Sequence, residues 1–277
     1  MHVSYVHFYE PIPDTSRLDD AVWKRASELP GINMNDSSQA ELLRQMSARH
    51  RQTWQELERK GAGEPGQFSL GNEYFDSVDA ELLHGIIRRF KPRRIYEIGS
   101  GFSTLLASQA IRENEQEDGS YKCEHLAIDP FPPEFLLASK NGLAVLPKEV
   151  QKVPLETFTK LERNDVLFID SSHMLKIGSD VQYEYLEILP RLKPGVLVHC
   201  HDIFIPAEYP KEWVLGFHRF WNEQYLLQAF LAFNGEFEVL WAGSYMHLKY
   251  PDLLTATIPS YRRDACLPKS FWIRRKG

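Results

Sequence analysis

Two short segments place histidines and carboxylates directly after hydrophobic runs. FIDSSH brings Asp170 and His173 after the run VLFI, and HCHDIF brings His201 and Asp202 after a run that begins at Val196. A histidine titrates near neutral pH and can take a proton from a reacting hydroxyl. We therefore expect His173 to be the general base, with His201 as the second choice and Asp170 as a further catalytic residue.

The same residues allow a second chemistry, in which they hold a metal ion. Asp170, His201 and Asp202 offer oxygen and nitrogen ligands to a divalent cation such as Mg²⁺, which would lower the pKa of a bound hydroxyl. Side chains alternate along a strand, so His201 and Asp202 face one site together only if the backbone has left the sheet. His199 is expected to be a buried strand residue, and Cys200 a small core residue, because nothing marks its thiol as activated. The sequence leaves the base and the metal open as alternatives.

A glycine-rich turn follows the hydrophobic run RIYEI, in the segment EIGSGFST. Gly99 and Gly101 let the chain turn sharply and let a ligand approach the backbone closely. Thr104 stands where a dinucleotide-binding turn has a third small residue, and no Lys follows the glycines as it does in a Walker A loop. Asp129 follows the next hydrophobic run, HLAI, where a carboxylate can accept hydrogen bonds from both hydroxyls of a ribose. The two segments together favour a nucleoside-type ligand.

Strand-like and helix-like stretches alternate from about residue 76 onward. Strands are predicted at residues 94–98, 125–128, 150–153, 166–169, 196–198, 237–241 and 271–274. Helices are predicted at residues 77–90, 103–112, 133–141, 179–189 and 212–233. This alternation requires right-handed crossovers and a mainly parallel sheet, so the four polar segments above would meet at one edge of a doubly wound α/β domain.

Residues 1–75 have a different pattern, which is polar and mostly helical, with candidate helices at 16–29 and 39–60. The segment GAGEPGQ is the clearest break in the chain. We predict an N-terminal helical extension or cap over residues 1–75 and a main domain over residues 76–277. An insertion at about residues 244–270 belongs to the main domain.

Composition excludes several classes of protein. The 277 residues include 32 Lys and Arg against 38 Asp and Glu, a net charge of -6 that does not suit affinity for nucleic acid through phosphate neutralisation. Three cysteines without C-x-x-C spacing indicate a reducing cytoplasm. No stretch approaches the roughly 18 apolar residues of a membrane span. We therefore expect a cytoplasmic protein with neither nucleic acid nor a membrane as its partner.

Four motifs, taken in order, resemble a known family: RIYEIGSGFST, HLAIDPFP, DVLFIDSSH and LKPGVLVHCHDIF. They look like the class I S-adenosylmethionine-dependent methyltransferases, particularly bacterial methyltransferase-domain proteins related to small-molecule and sugar O-methyltransferases. The resemblance covers about residues 75–277. It implies a Rossmann-like, seven-stranded, mostly parallel sheet with helices on both faces.

The resemblance also implies roles for individual residues. Asp129 would hold the ribose of S-adenosylmethionine, Asp170 would lie near its methionine end, and residues 153–155 would meet adenine. The full cofactor site would comprise Glu97, Gly99, Ser100, Gly101, Ser103, Thr104, Asp129, Asp170 and Ser171. Related enzymes bind magnesium with acids at two strand ends, and Asp170 and Asp202 match those places.

The activity that the resemblance implies is methylation of a hydroxyl on a small metabolite or a sugar-containing acceptor. Two other functions remain open: a nicotinamide-dependent oxidoreductase, and a non-catalytic cofactor-binding module in a complex. Tyr209 and Trp213 are candidates for a lid over the acceptor. The sequence leaves a homo-oligomer open.

Overall fold

The computed structural model describes residues 11–59, 66–137 and 142–277. In this part of the chain, seven strands form one sheet. They are β1 (Arg94–Ile98), β2 (Glu124–Ile128), β3 (Leu143–Leu146), β4 (Val166–Ile169), β5 (Leu197–Cys200), β6 (Phe237–Ala242) and β7 (Phe271–Arg275).

Helices precede the sheet and connect its strands. They are α1 (Ala21–Lys24), α2 (Asp36–Arg59), α3 (Asp79–Phe90), α4 (Phe102–Glu117), α5 (Glu134–Leu137), α6 (Leu155–Phe158), α7 (Asp180–Tyr183), α8 (Lys211–Leu215), α9 (Glu223–Leu231), α10 (Gly243–Lys249) and α11 (Pro251–Thr257). A π-helical turn, Glu184–Ile188, continues α7. None of the helices in these ranges is long and apolar enough to cross a bilayer.

The strand order is β3-β2-β1-β4-β5-β7-β6. β1 to β5 pair in parallel, and β7 pairs antiparallel with both β5 and β6. β4 and β5 are buried throughout, which is why their sequences are continuous hydrophobic runs. The winding reverses between β1 and β4, and ligands bind beyond the carboxyl ends of strands at such a switch point. The predicted fold class is confirmed.

Each face of the sheet packs against helices through its own hydrophobic core. Ile95 and Phe168 belong to one core, which also contains Trp54 of α2. Tyr96 and Leu167, one residue away along the same strands, belong to the other core. Side-chain alternation along a strand produces this division. Helix α2, from the predicted N-terminal extension, therefore packs into the same core as the sheet.

Several predicted elements differ from the structure. The prediction of a strand at 150–153 is wrong: those residues form a 3-10 turn, and the edge strand is β3. The helix predicted at 212–233 is broken into α8 and α9, with His218 between them at a left-handed φ of 53°. Of the helix predicted at 16–29, only α1 is α-helical. The amide of Ser27 donates to the carbonyl of Pro206 and not to a preceding turn of helix. Residues 60–65, in the predicted break, and 138–141, in the predicted helix after β2, lie outside the described residues.

Candidate functional site

The sequence-predicted residues meet at the carboxyl edge of the sheet. Gly99 donates its amide to Ile128, Asp170 to Ile98 and His201 to Ile169, at 2.9 to 3.0 Å. Each strand ladder thus extends one residue beyond its strand before the chain turns away. The glycine turn and the two histidine-bearing segments therefore start side by side.

Gly99 is required by the contact between its turn and the end of β4. Its φ is +91°, which side-chain-bearing residues rarely adopt, and a Cβ there would lie 2.0 Å from the carbonyl oxygen of Asp170. Only glycine allows the two chain segments to approach this closely. The end of β1 is thereby fixed against Asp170.

A buried network shapes the glycine turn from behind. Gly101 donates its amide to the hydroxyl of Thr104 at 3.0 Å, and that hydroxyl donates to Glu97 at 2.9 Å. His125 contacts the other carboxylate oxygen of Glu97, and Ser103 donates to the carboxylate at 3.4 Å. Glu97 is only 1% exposed. These side chains hold the turn in shape, and its backbone is left to meet a ligand.

Asp129 lies beside the turn, as the sequence predicts. The hydroxyl of Ser100 donates to Asp129 Oδ2 at 2.7 Å, and the amide of Phe131 donates to Oδ1 at 2.8 Å. The Asp129 carboxylate is half-buried. The two ends of the predicted nucleoside site are thus joined by a direct hydrogen bond.

Two carboxylates and an imidazole form a cluster at the ends of β4 and β5. His173 Nε2 lies 3.4 Å from Asp170 Oδ1 and 3.4 Å from Asp202 Oδ2. One ligand atom from each of the three residues lies within 4.8 Å of the others. His173 and Asp202 have left-handed φ angles of 58° and 53°. The chain has therefore left strand geometry at Asp202, which brings its side chain to the same site as its neighbour His201.

The second nitrogen of His173 is held by a carboxylate that the sequence did not reveal. Glu223 Oε2 lies 2.8 Å from His173 Nδ1, and Glu223 Oε1 accepts a hydrogen bond from the Tyr185 hydroxyl at 2.9 Å. The ring of Trp221 packs against the imidazole at 4.4 Å. Glu223 is fully buried, so its carboxylate fixes the orientation of the ring. An acidic residue at the start of an aromatic-rich helix gave no sequence signal for this role.

His201 lies on the inner side of the cluster. Its Nδ1 is 3.4 Å from Asp170 Oδ1, and its Nε2 is 3.7 Å from Asp79 Oδ2. Lys269 Nζ lies 2.8 Å from Asp202 Oδ1, and the Lys269 amide donates to Asp79. Asp79 and Lys269 were also missed by sequence reasoning, since one begins a helix and the other lies in the predicted insertion.

The charges in the cluster stabilise one another. Burial disfavours the charged form of His201, but Asp170 and Asp202 outweigh it and raise the pKa of His201 to about 9. Burial is likewise outweighed at His173, whose pKa Asp170 and Glu223 raise well above its usual value. Burial also opposes the charge of Asp170, yet the two histidines hold its pKa well below the usual range. The carboxylates of the cluster therefore stabilise the protonated forms of both histidines.

Other predicted residues lie near the site without joining the cluster. Ser171 donates to the buried carboxylate of Glu184 at 3.2 Å. His199 is fully buried and stacks on Phe168 at 3.9 Å, and Cys200 is also buried, with a thiol whose pKa burial raises well above its usual value. Tyr209, a predicted lid residue, is buried and packs against Trp221, whose ring contacts His173.

Comparison with known proteins bears on the same segment. Residues 96–203 match the family model described as a methyltransferase domain. This range contains the glycine turn, Asp129, Asp170, His173, His201 and Asp202. An uncharacterized protein of Archaeoglobus fulgidus is 27% identical over 166 residues, which are 57% of this chain and 73% of that protein.

Solved structures that resemble the chain include two methyltransferases bound to S-adenosylhomocysteine. PaMTH1 from Podospora anserina is 15% identical, with 89% of this chain and 98% of that chain covered and a TM-score of 0.46. The O-methyltransferase from Bacillus cereus is 13% identical, with 87% and 92% covered and a TM-score of 0.42. The family match agrees with the resemblance that the motifs indicated: residues 96–203 are similar to a methyltransferase domain.

Proposed function

We propose that this methyltransferase transfers a methyl group to a hydroxyl of a small molecule, and that a divalent cation held by Asp170, His173 and Asp202 assists the transfer. One observation carries the proposal. Two carboxylate oxygens and an imidazole nitrogen converge within 4.8 Å at the edge where the glycine turn and Asp129 also lie. A methyl-donor site at the turn and an acid-base or metal site at the cluster would therefore be adjacent.

The residues around the glycine turn fit S-adenosylmethionine, which supplies the methyl group from its sulfonium centre. Asp129, whose carboxylate is held by the Ser100 hydroxyl and the Phe131 amide, would accept hydrogen bonds from the ribose hydroxyls. The open space beside Gly101, where a Cβ would meet nothing within 4 Å, would take the amino-acid part. Glu97 acts on this site from behind, through Thr104 and the turn.

The cluster fits a divalent cation because of the way His173 is held. Its Nδ1 faces Glu223, so its Nε2 faces the two carboxylates, and a carboxylate behind a histidine is the usual support of a metal-binding imidazole. When bound, the cation lowers the pKa of the acceptor hydroxyl. We therefore place His173, which the sequence favoured as the base, among the ligands in place of His201.

His201 then has a positioning role. It sits between Asp170 and Asp79, and it is nearly fully buried. Asp170, with a third of its side chain exposed, is the cluster carboxylate that an acceptor hydroxyl can reach from the open edge. We assign Asp170 to orient that hydroxyl toward the methyl donor.

Calorimetry with S-adenosylmethionine and S-adenosylhomocysteine tests the cofactor assignment. Asp129→Ala should weaken binding by about 10- to 100-fold, because charge-assisted hydrogen bonds to the ribose are lost. Asp252→Ala, which removes an exposed aspartate at the start of α11, is the matched control and should bind as the wild type does. Equal affinities for the Asp129 variant and the wild type would remove the ribose assignment.

The alternatives need separate measurements. NADH binding in a fluorescence titration, without binding of S-adenosylmethionine, would favour the oxidoreductase. Metal analysis of the purified protein, together with turnover before and after chelation, tests the cation. Full turnover of the chelated enzyme would contradict the metal part of the proposal and return His173 to the role of base.

A further inference from the structure

A cavity of about 640 Å³ lies between the N-terminal part of the chain and the segment before β7. Its lining comes from Glu58, from residues 70–79 and from residues 260–269, together with Trp213. Small-molecule sites occupy about 300 to 1,000 Å³, so the cavity has the size of a binding site. These lining residues all lie outside residues 96–203, the segment that matches the methyltransferase family.

The cavity reaches the predicted cofactor turn through an aromatic pair. The ring of Tyr74 stacks on Phe102 with centroids 5.8 Å apart and an interplanar angle of 13°. Phe102 follows Gly101 directly and begins α4. One wall of the cavity is thus attached to the turn that would hold S-adenosylmethionine.

The inner end of the cavity reaches residues that contact the carboxylate-histidine cluster. Asp79 lies 3.7 Å from the ring of His201, and Lys269 lies 2.8 Å from Asp202. Both Asp79 and Lys269 line the cavity. A molecule in the cavity would therefore be separated from the cluster by the side chains of Asp79 and Lys269.

The charges of the lining argue against an anionic ligand. Both cations are already paired, Arg262 with Glu58 at 2.8 Å and Lys269 with Asp202 at the same distance. Three further carboxylates line the cavity, Glu73, Asp76 and Asp79. A phosphate or carboxylate group would meet an excess of negative charge and no free cation among these lining residues.

The remaining lining groups match hydroxyls and the flat faces of a small ring. Ser260 donates its hydroxyl to Glu81, so Ser77 donates to Ser260 at 2.6 Å, and each serine oxygen can still accept a hydrogen bond from a ligand hydroxyl. Tyr74 adds an aromatic face against which C–H groups can pack. Tyr74 is 71% exposed, so its ring is available to a ligand.

We propose that this cavity receives the acceptor, and that the acceptor is an uncharged, hydroxyl-rich molecule of monosaccharide size. The inference rests on the proposed function, since it places the acceptor next to the residues that contact the cluster. It assigns acceptor recognition to Glu58 and to residues 70–79 and 260–269, and it makes Tyr74 a specificity-determining residue.

The test measures methyl transfer by mass spectrometry with S-adenosylmethionine and Mg²⁺. Three sets of probes are assayed separately at the same concentrations: methyl glycosides of the common hexoses and 6-deoxyhexoses, hexose 6-phosphates, and catechol. We expect transfer to at least one glycoside, with kcat/KM at least about tenfold above that for any hexose phosphate or for catechol, the effect of one unfavourable charge or one lost polar contact.

Variants separate the cavity from the cofactor site. Tyr74→Ala should raise KM for the glycoside about tenfold, whereas Tyr74→Phe, which keeps the ring, should stay close to the wild type. Phe233→Ala removes a similarly exposed aromatic residue outside the cavity and should change nothing. The affinity for S-adenosylmethionine is measured for every variant, so that a loss of cofactor binding is recognised.

Three results would overturn the inference. They are preferred transfer to hexose phosphates or catechol, no transfer to any glycoside by protein that binds S-adenosylmethionine, and an unchanged KM for Tyr74→Ala. The first two leave the methyl-donor assignment intact. Failure of the wild type to bind S-adenosylmethionine would instead refute the proposed function itself.

Discussion

Glu223 provides the sharpest test of the metal assignment, because it touches only the far side of His173. In the structure its Oε2 lies 2.8 Å from His173 Nδ1, and both side chains are buried. Glu223→Gln keeps the shape and leaves an oxygen that can accept the same hydrogen bond, but removes the charge. Loss of such a supporting partner typically lowers metal affinity by 10- to 100-fold. Since the hydrogen bond can persist, we expect a loss of metal affinity at the lower end of that range, about tenfold or 1.4 kcal/mol.

The assay is calorimetric titration of Mg²⁺ and Mn²⁺ into chelated protein. Tyr185→Phe is the matched control, because it removes the hydroxyl bonded to the other oxygen of Glu223 and leaves the carboxylate charged. We expect the Tyr185 variant to bind the cation within about threefold of the wild type, and both variants to bind S-adenosylhomocysteine normally.

The refuting result is clear. If Glu223→Gln binds the cation as tightly as the wild type, His173 Nε2 is not a metal ligand. If neither protein binds Mg²⁺ or Mn²⁺, the cluster is not a metal site, and the paired carboxylates and histidines act as acids and bases alone.

Three further outcomes follow from other contacts. Gly99→Ala should destabilise the fold by about 2–4 kcal/mol, seen as a lower midpoint in urea unfolding, because its Cβ would overlap the carbonyl of Asp170; a midpoint equal to the wild type would contradict this reading. Lys269→Met should tighten Mg²⁺ binding by at least about threefold, since it removes a cation 2.8 Å from Asp202, and weaker binding in the same titration would count against the site. Burial raises the pKa of Glu81 to about 7. The folded state then binds the extra proton between about pH 4.5 and 7, so stability falls as pH rises through that window and levels off above it. Glu81→Gln should remove this loss of folding stability, which amounts to about 3 kcal/mol. The variant should therefore melt at a higher temperature than the wild type at pH 8, whereas the two proteins should melt together at pH 4. If the melting temperatures of the two proteins depend on pH in the same way, the pKa of Glu81 is not raised.

The sheet was largely predictable, and its misplaced strand has a physical explanation. RIYEI and VLFI are buried strands, so their hydrophobic runs stand out and their bounds are those of β1 and β4. β3 is an edge strand with partly exposed residues, and the apolar residues of the following 3-10 turn gave an equally strong pattern.

The candidate site was predictable only where it depends on strand ends. Asp170, His173, His201 and Asp202 were expected to converge, and the structure brings them together. The roles of the two histidines depend on Glu223 and Asp79, which approach from elements far away in sequence. Such pairings arise from tertiary packing, and no local spacing signals them.

The position of β7 has a consequence for assembly of the protein. This strand, at residues 271–275, lies between β5 and β6, so it pairs on both sides with strands that precede it in the chain. β1 to β4, with the glycine turn and Asp129, can pair before β7 is synthesised. Lys269 reaches Asp202 only when β7 joins the sheet, because it lies two residues before that strand. A chain that lacks β7 would therefore retain the groups proposed for the methyl donor, but the edges of β5 and β6 that pair with β7 would be exposed. Its Asp202 would also lack the contact with Lys269.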